Sequence, residues 1–297
     1  MDEKRMLQLP VGLLGSIAFF KDVVAAHFPQ LSEEQKKRSV GELLTGAELE
    51  RATGELAAAA RAFEKKNREE VLEFGVDLDP NGPRYQWGRP EQNEIAVRMI
   101  EERYPAAERT GEIIFYGPSN ITFWYSLEQD MLPWKGQNHG MGGCIDDDMI
   151  RYAPRLLYPY KPAAVFFQTG SNDIASGIPL ETILQNKRKM YGLFLEHMPG
   201  TELIVCSGLP LPGRTQFWDA TVETNRLLAQ RCAETGRMHF MDATDAMLTS
   251  DGPAELRTSD GRYFDPELYR IDRIHLNKRG HDVWTAKMKA MLEQLGL

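Results

Sequence analysis

The 297-residue chain has few cysteines, no excess of positive charge and no long uninterrupted apolar run, and each shortage removes a class of protein. Cys144, Cys206 and Cys232 stand far apart without C-x-x-C spacing, so neither a disulfide framework nor a zinc knuckle is expected, and a reducing cytoplasm fits. Lys and Arg number 35 against 43 Asp and Glu, a formal charge of −8. A protein that grips a phosphate backbone usually shows a basic patch or stripe, so no nucleic-acid partner is expected. The apolar segment Val11 to Phe28 is broken by Lys21 and Asp22 and reads as a core-packing helix, with no membrane partner. Val24-Ala25-Ala26 leaves a cleaved signal peptide as the lesser reading. Internal repeats and low-complexity tails are also missing.

What is present falls into two textures. Residues 1 to about 105 read as helical and carry no recognisable chemistry. Ser32-x-x-Gln35 and Thr45-x-x-Glu48 have capping-box spacing, and Ala47 to Phe74 reads as one long helix with Leu49, Leu56, Phe63 and Val71 on its apolar stripe. Asp77 to Asn93 is a connector dense in turn residues, where Tyr85 and Trp87 either pack onto the main domain or line a ligand mouth. Glu94 to Tyr104 restores helical spacing, and Pro105 stops it. After Gly111, apolar runs at Ile113 to Tyr116, Ala163 to Gln168, Leu203 to Cys206 and Met238 to Met241 alternate with helical stretches. That alternation predicts a doubly wound α/β domain whose parallel sheet is covered on both faces, closed by a helix from about Lys278 to Leu295.

Four stretches carry chemistry. In Ile113 to Trp124 a buried strand turns at Gly117-Pro118 into a helix, presenting Ser119 at the sheet's carboxyl edge beside orphan helix N–H groups. This suits an acyl-transfer nucleophile, although Ser119 or Asn120 acting only as a helix cap explains the local pattern equally well. Gln137 to Cys144 contains three glycines in four residues and reads as a loop whose N–H groups can face an oxyanion. Asp146-Asp147-Asp148 fits the first turn of a helix better than a metal site, so no metal and no cofactor are expected. Gly170-Ser171-Asn172-Asp173 leaves a buried strand at its carboxyl end, with Asn172 a fixed amide donor and Asp173 able to accept backbone N–H bonds. In Asp272-Arg273-Ile274-His275, the aspartate can fix the imidazole tautomer, an arrangement none of the other five histidines has. His281, inside the last helix, reads as structural.

Taken in order, these blocks resemble those of the SGNH hydrolases, also called the GDSL esterase/lipase superfamily. Gly117 to Asn120 looks like the G-D-S block, Asn138 to Gly143 the glycine block, Gly170 to Asp173 the G-x-N-D block, and Asp272 to His275 the D-x-x-H block. The resemblance covers roughly Glu112 to Leu297 and implies a flavodoxin-like three-layer α/β/α sandwich for the domain over residues 106–297; the helical extension read over 1–105 lies outside the family pattern. It implies Ser119 as nucleophile, His275 as general base and Asp272 as the group orienting it, with an oxyanion hole from the N–H groups of Ser119 and Gly143 and the amide of Asn172. Pro118 replaces the family aspartate, removing a carboxylate but leaving the nucleophile. The expected activity is hydrolysis of a small acyl ester, with an O-acetyl ester of a carbohydrate as one form. Acyl transfer by the same residues, or a non-catalytic carbohydrate-binding or scaffold role, are the alternatives. The N-terminal helices either cover one side of the α/β domain or form a homo-oligomer.

Overall fold

A computed structural model describes residues 7–15, 17–73 and 92–297. Five strands form one parallel sheet: β1 Ile113–Gly117, β2 Gly136–Gly140, β3 Ala164–Phe167, β4 Glu202–Cys206 and β5 Met238–Met241, in the order β2-β1-β3-β4-β5. Successive residues of a strand point to opposite faces, and both faces of β1, β3 and β4 are buried, so these strands are almost continuously apolar. Ile114, Tyr116, Val165, Phe167, Leu203 and Val205 enter one core. Ile113, Phe115, Ala164, Phe166, Ile204 and Cys206 enter the other. Helices Asp146–Leu156, Leu180–His197 and Trp218–Ala233 bury side chains in the first core, and Lys278–Leu295 places Trp284, Met288 and Leu292 in the second. The result is the expected three-layer sandwich.

One strand departs from expectation. Residues 137–140, read from sequence as part of a glycine loop, belong instead to edge strand β2, paired in parallel with β1 from Ile113 opposite Gly136 to Gly117 opposite Gly140. The sequence Gly-Gln-Asn-His-Gly lacks an apolar run because its buried polar groups find partners instead. The Gln137 amide donates to the Arg109 carbonyl (2.8 Å), the Asn138 amide to that of Ile121 (2.7 Å), and His139 Nδ1 lies 2.8 Å from the Leu156 carbonyl oxygen. A Cβ on Gly140 would lie 2.2 Å from the Thr122 backbone nitrogen, so only glycine fits this close approach.

The N-terminal helices gather their own apolar cluster, with Val11, Leu14, Ile17, Phe20, Val24, Leu56 and Ala60 buried together. Val11 to Phe28 is two helices, Val11–Gly15 and Ala18–His27, and the long helix runs Gly46–Glu73. Ser32 and Gln35 make the reciprocal capping contacts their spacing predicts, but they open only a three-residue 3₁₀ turn. The helix Gln92–Arg103 belongs elsewhere: Ala96, Val97, Ile100 and Tyr104 pack in the first α/β core, although the sequence places them in the extension. Most of the connector expected over Asp77 to Asn93, including Tyr85 and Trp87, lies outside the described residues. No helix among the described residues is long and apolar enough to cross a membrane.

Candidate active site

The strand order reverses beside β1: the chain moves outward to β2, then returns to β3 on the other side. At such a switch point the loops leaving neighbouring strands diverge and open a crevice at the carboxyl edge. The loops after β1, β2 and β3 therefore converge there. The first is tight because a Cβ on Gly117 would lie 2.4 Å from the Gln168 carbonyl oxygen, and Pro118, extended at φ −78°, feeds directly into the helical turn Ser119–Thr122.

Ser119 Oγ lies 2.8 Å from His275 Nε2, and His275 Nδ1 lies 2.5 Å from Asp272 Oδ2. Across 156 residues of chain, the serine, imidazole and carboxylate meet in a line. With Nδ1 donating to the carboxylate, Nε2 is left to accept the serine proton. Asp272 Oδ1 accepts the backbone N–H groups of Ile274 (2.8 Å) and His275 (2.9 Å). Complete burial pushes the Asp272 carboxyl up, but the His275 ring and these donors outweigh burial and hold it below the usual carboxylate range.

The segment bearing His275 is fastened from several sides. Asn120 Oδ1 accepts the Leu276 N–H (2.8 Å), tying the residue after the serine to the residue after the histidine. Buried Arg270 donates to the Leu276 and Phe123 carbonyls, while the Phe123 ring meets the His275 ring edge-on at 4.8 Å. His281 stacks on Trp124 and lies 3.0 Å from the Asn120 carbonyl oxygen; burial holds its imidazole down to about 3, so it is a neutral structural group. Pro118 leaves no carboxylate at the turn, and Asn120 supplies the bond between the two segments.

The two remaining loops adjoin each other. Gly143 takes φ +82°, and the following residue, Cys144, accepts through its carbonyl the amide of Asn172 at 3.1 Å. Arg214 Nη1 donates to Asn172 Oδ1 (3.3 Å) and to the Ser171 carbonyl (3.0 Å), fixing which end of the Asn172 amide is the donor. Asp173 accepts the Asp146 N–H at 3.1 Å, as its position suggested. Lys187, Arg214 and Arg270 were not singled out from sequence, and all three act from outside the four blocks; Asn120, named there as a helix cap, instead ties the serine turn to the histidine segment. Among the described residues no group of three His, Cys, Asp or Glu could hold a metal ion.

A family model for the GDSL-like lipase/acylhydrolase family matches residues 112–283, more than half of the chain. The chain belongs to that family. It is accordingly a hydrolase of the serine-esterase type within the SGNH superfamily, and the matched span contains all four blocks. A solved structure from Streptococcus pneumonia named for platelet activating factor superposes with a TM-score of 0.57 at 17% identity, covering 76% of this chain and 98% of its own. An acylhydrolase-named structure from Bacteroides fragilis gives 0.50 at 19% identity, covering 64% and 93%. At such identities the likeness to these structures is one of fold. No curated protein matches the chain in sequence.

Proposed function

We propose that this GDSL-family enzyme hydrolyses a small acyl ester through an acyl-enzyme on Ser119. The observation that carries the reading is the run of 2.8 Å and 2.5 Å contacts from Ser119 Oγ through His275 to buried Asp272. His275 Nε2 takes the hydroxyl proton as Oγ attacks the ester carbonyl, and the ionised Asp272 stabilises the imidazolium. Negative charge developing on the carbonyl oxygen is met by the N–H groups of Ser119 and Gly143 and by the Asn172 amide. The imidazolium then protonates the departing alcohol, and a water deprotonated at the same nitrogen releases the acid.

An O-acetyl ester, such as that on a carbohydrate, is the proposed substrate. Buried, unpaired Cys144, Cys206 and Cys232 accord with a cytoplasmic site of action.

Exposure to a fluorophosphonate with intact-mass readout, alongside p-nitrophenyl acetate and acetylated-sugar hydrolysis, tests the reading in wild type and Ser119→Ala. A single adduct and turnover in the wild type, both lost on substitution, are expected. A folded wild type showing neither defeats it.

A further inference from the structure

A lysine is among the side chains least often buried, and then almost always paired. Lys187, on the helix Leu180–His197, is 1% exposed and lies beneath the candidate site rather than in it. Its Nζ is 3.1 Å and 3.2 Å from the two carboxylate oxygens of Asp146, which is itself fully buried. Asp146 is two residues beyond Cys144, whose carbonyl receives the Asn172 amide. Its Oδ1 also accepts the Thr169 hydroxyl at 2.6 Å, and its N–H donates to Asp173 Oδ1 at 3.1 Å. Lys187 also lies close to the β3 loop: Gly170 sits at φ +109°, and a Cβ there would lie 3.3 Å from Lys187 Nζ.

These contacts close a ring. One ion pair touches the loop that carries Gly143 and the loop that carries Asn172, and both loops are joined again above it by Asn172 and Cys144. The charges explain why the ring needs a cation: two carboxylates meet in a buried space, and burial together with the Asp146 charge pushes the Asp173 carboxyl up to about 6. Without the ammonium, Asp146 is a buried charge with only neutral donors, and the loops must move to admit water.

We propose that Lys187 is a positioning residue for the oxyanion hole, its ion pair with Asp146 holding the Gly143 and Asn172 loops at a fixed separation. This rests on the acyl-transfer reading for its consequence, since the loops matter to rate only if their donors face the oxyanion. The separation must be held closely because donors stabilise the charge that develops in the transition state, and a displaced donor loses rate rather than affinity.

The test uses full-length Lys187→Met, which leaves Asp146 unpaired, and Lys187→Met/Asp146→Asn, which keeps the acceptor for Thr169 and removes the charge. The double variant serves where the single one fails to fold. In folded protein, checked by near-ultraviolet circular dichroism, kcat for p-nitrophenyl acetate is expected to fall about 10- to 100-fold with KM within about twofold. Hydrogen exchange is expected to quicken in the peptides covering 141–146 and 168–173 and to stay as in wild type over the Ser119 and His275 segments. A folded variant with kcat within about twofold of wild type overturns the proposal, as does exchange that is unchanged or uniformly faster. Wild type that neither turns over nor takes a fluorophosphonate defeats the acyl-transfer reading instead. The exchange pattern then still decides whether Lys187 holds the two loops.

Discussion

Two histidines and one aspartate set how this enzyme answers to acid. His139 and His281 are buried, and burial holds both imidazoles down to about 3, far below the about 6.5 of an unfolded chain. The unfolded state therefore binds more protons between those values, and stability is lost as pH falls from about 6.5. Asp173 acts oppositely: raised to about 6, it favours the folded state below about 4 and loses that contribution as pH climbs through 6. Among these three groups, two against one give a slope of about 1.4 kcal/mol per pH unit between about pH 4 and 6, which Asp148, also raised by burial, partly offsets. Urea denaturation at pH 7, 5.5 and 4.5 is expected to show stability falling with pH, and His139→Gln is expected to flatten the fall; a stability that rises on acidification removes the argument. At the candidate site, Asp272→Asn keeps the shape but no longer fixes the tautomer or steadies the imidazolium. It is expected to lower kcat by roughly 10³- to 10⁴-fold with little change in KM, measured by steady-state hydrolysis. Asn172→Ala removes one of the proposed oxyanion donors and is expected to cost about 10²- to 10³-fold in kcat.

Elements differ in how openly the chain displays them. β1, β3 and β4 are largely apolar on both faces, so each appears as a short run such as Ile-Ile-Phe-Tyr, β5 keeps apolar residues around half-buried His239, and the last helix is found within its observed bounds of Lys278–Leu295. The four motif blocks were legible for the same local reason, since each lies within a few residues of a strand end or helix start. β2 was not legible, because partners from distant segments satisfy its polar groups, and its glycines are required by close neighbours, side chains at Gly136 and the Thr122 backbone at Gly140. Lys187 and Arg214 were hidden likewise: their positions follow from packing between helices and loops, which no local pattern records. The glycines of β2 give a test of this account. Gly140→Ala would push a methyl against the Thr122 backbone, one turn from Ser119. Overpacking of this kind costs roughly 1–3 kcal/mol where neighbours can yield, and here the neighbour is backbone. A lowered melting temperature together with slowed fluorophosphonate labelling of Ser119 is expected; unchanged labelling would mean that β2 does not set the serine turn.

At the scale of the whole molecule, the division between extension and enzyme falls at a different place from where helical texture ends. The N-terminal cluster of Val11, Phe20 and Leu56 shares no member with the two cores that clamp the sheet. The helix Gln92–Arg103 and the residue after it, by contrast, bury Val97, Ile100 and Tyr104 in the sheet's core. It is further fastened by Arg155, which bridges Glu94 and Glu101, and by the Tyr160 hydroxyl, which donates to the Tyr104 carbonyl. Burying those side chains is worth roughly 5–9 kcal/mol, of the same order as the whole stability of about 5–15 kcal/mol for a domain. A chain starting at Gln92 is therefore expected to melt cooperatively, and one starting at Thr110 to be insoluble or to lack a sharp transition. The comparison also bears on what the N-terminal helices do. Phe19, Ala59 and Phe63 line a groove of about 480 Å³ whose other wall includes Ile271, Asp272 and Arg273, so the extension borders the segment that holds the histidine. If those helices only cover the enzyme, the chain from Gln92 stays monomeric and exposes apolar surface; if they pair two copies, size-exclusion chromatography shows a dimer for the full chain that becomes a monomer on their removal. A cooperative melt for the chain from Thr110 would overturn the assignment of Gln92–Arg103 to the core.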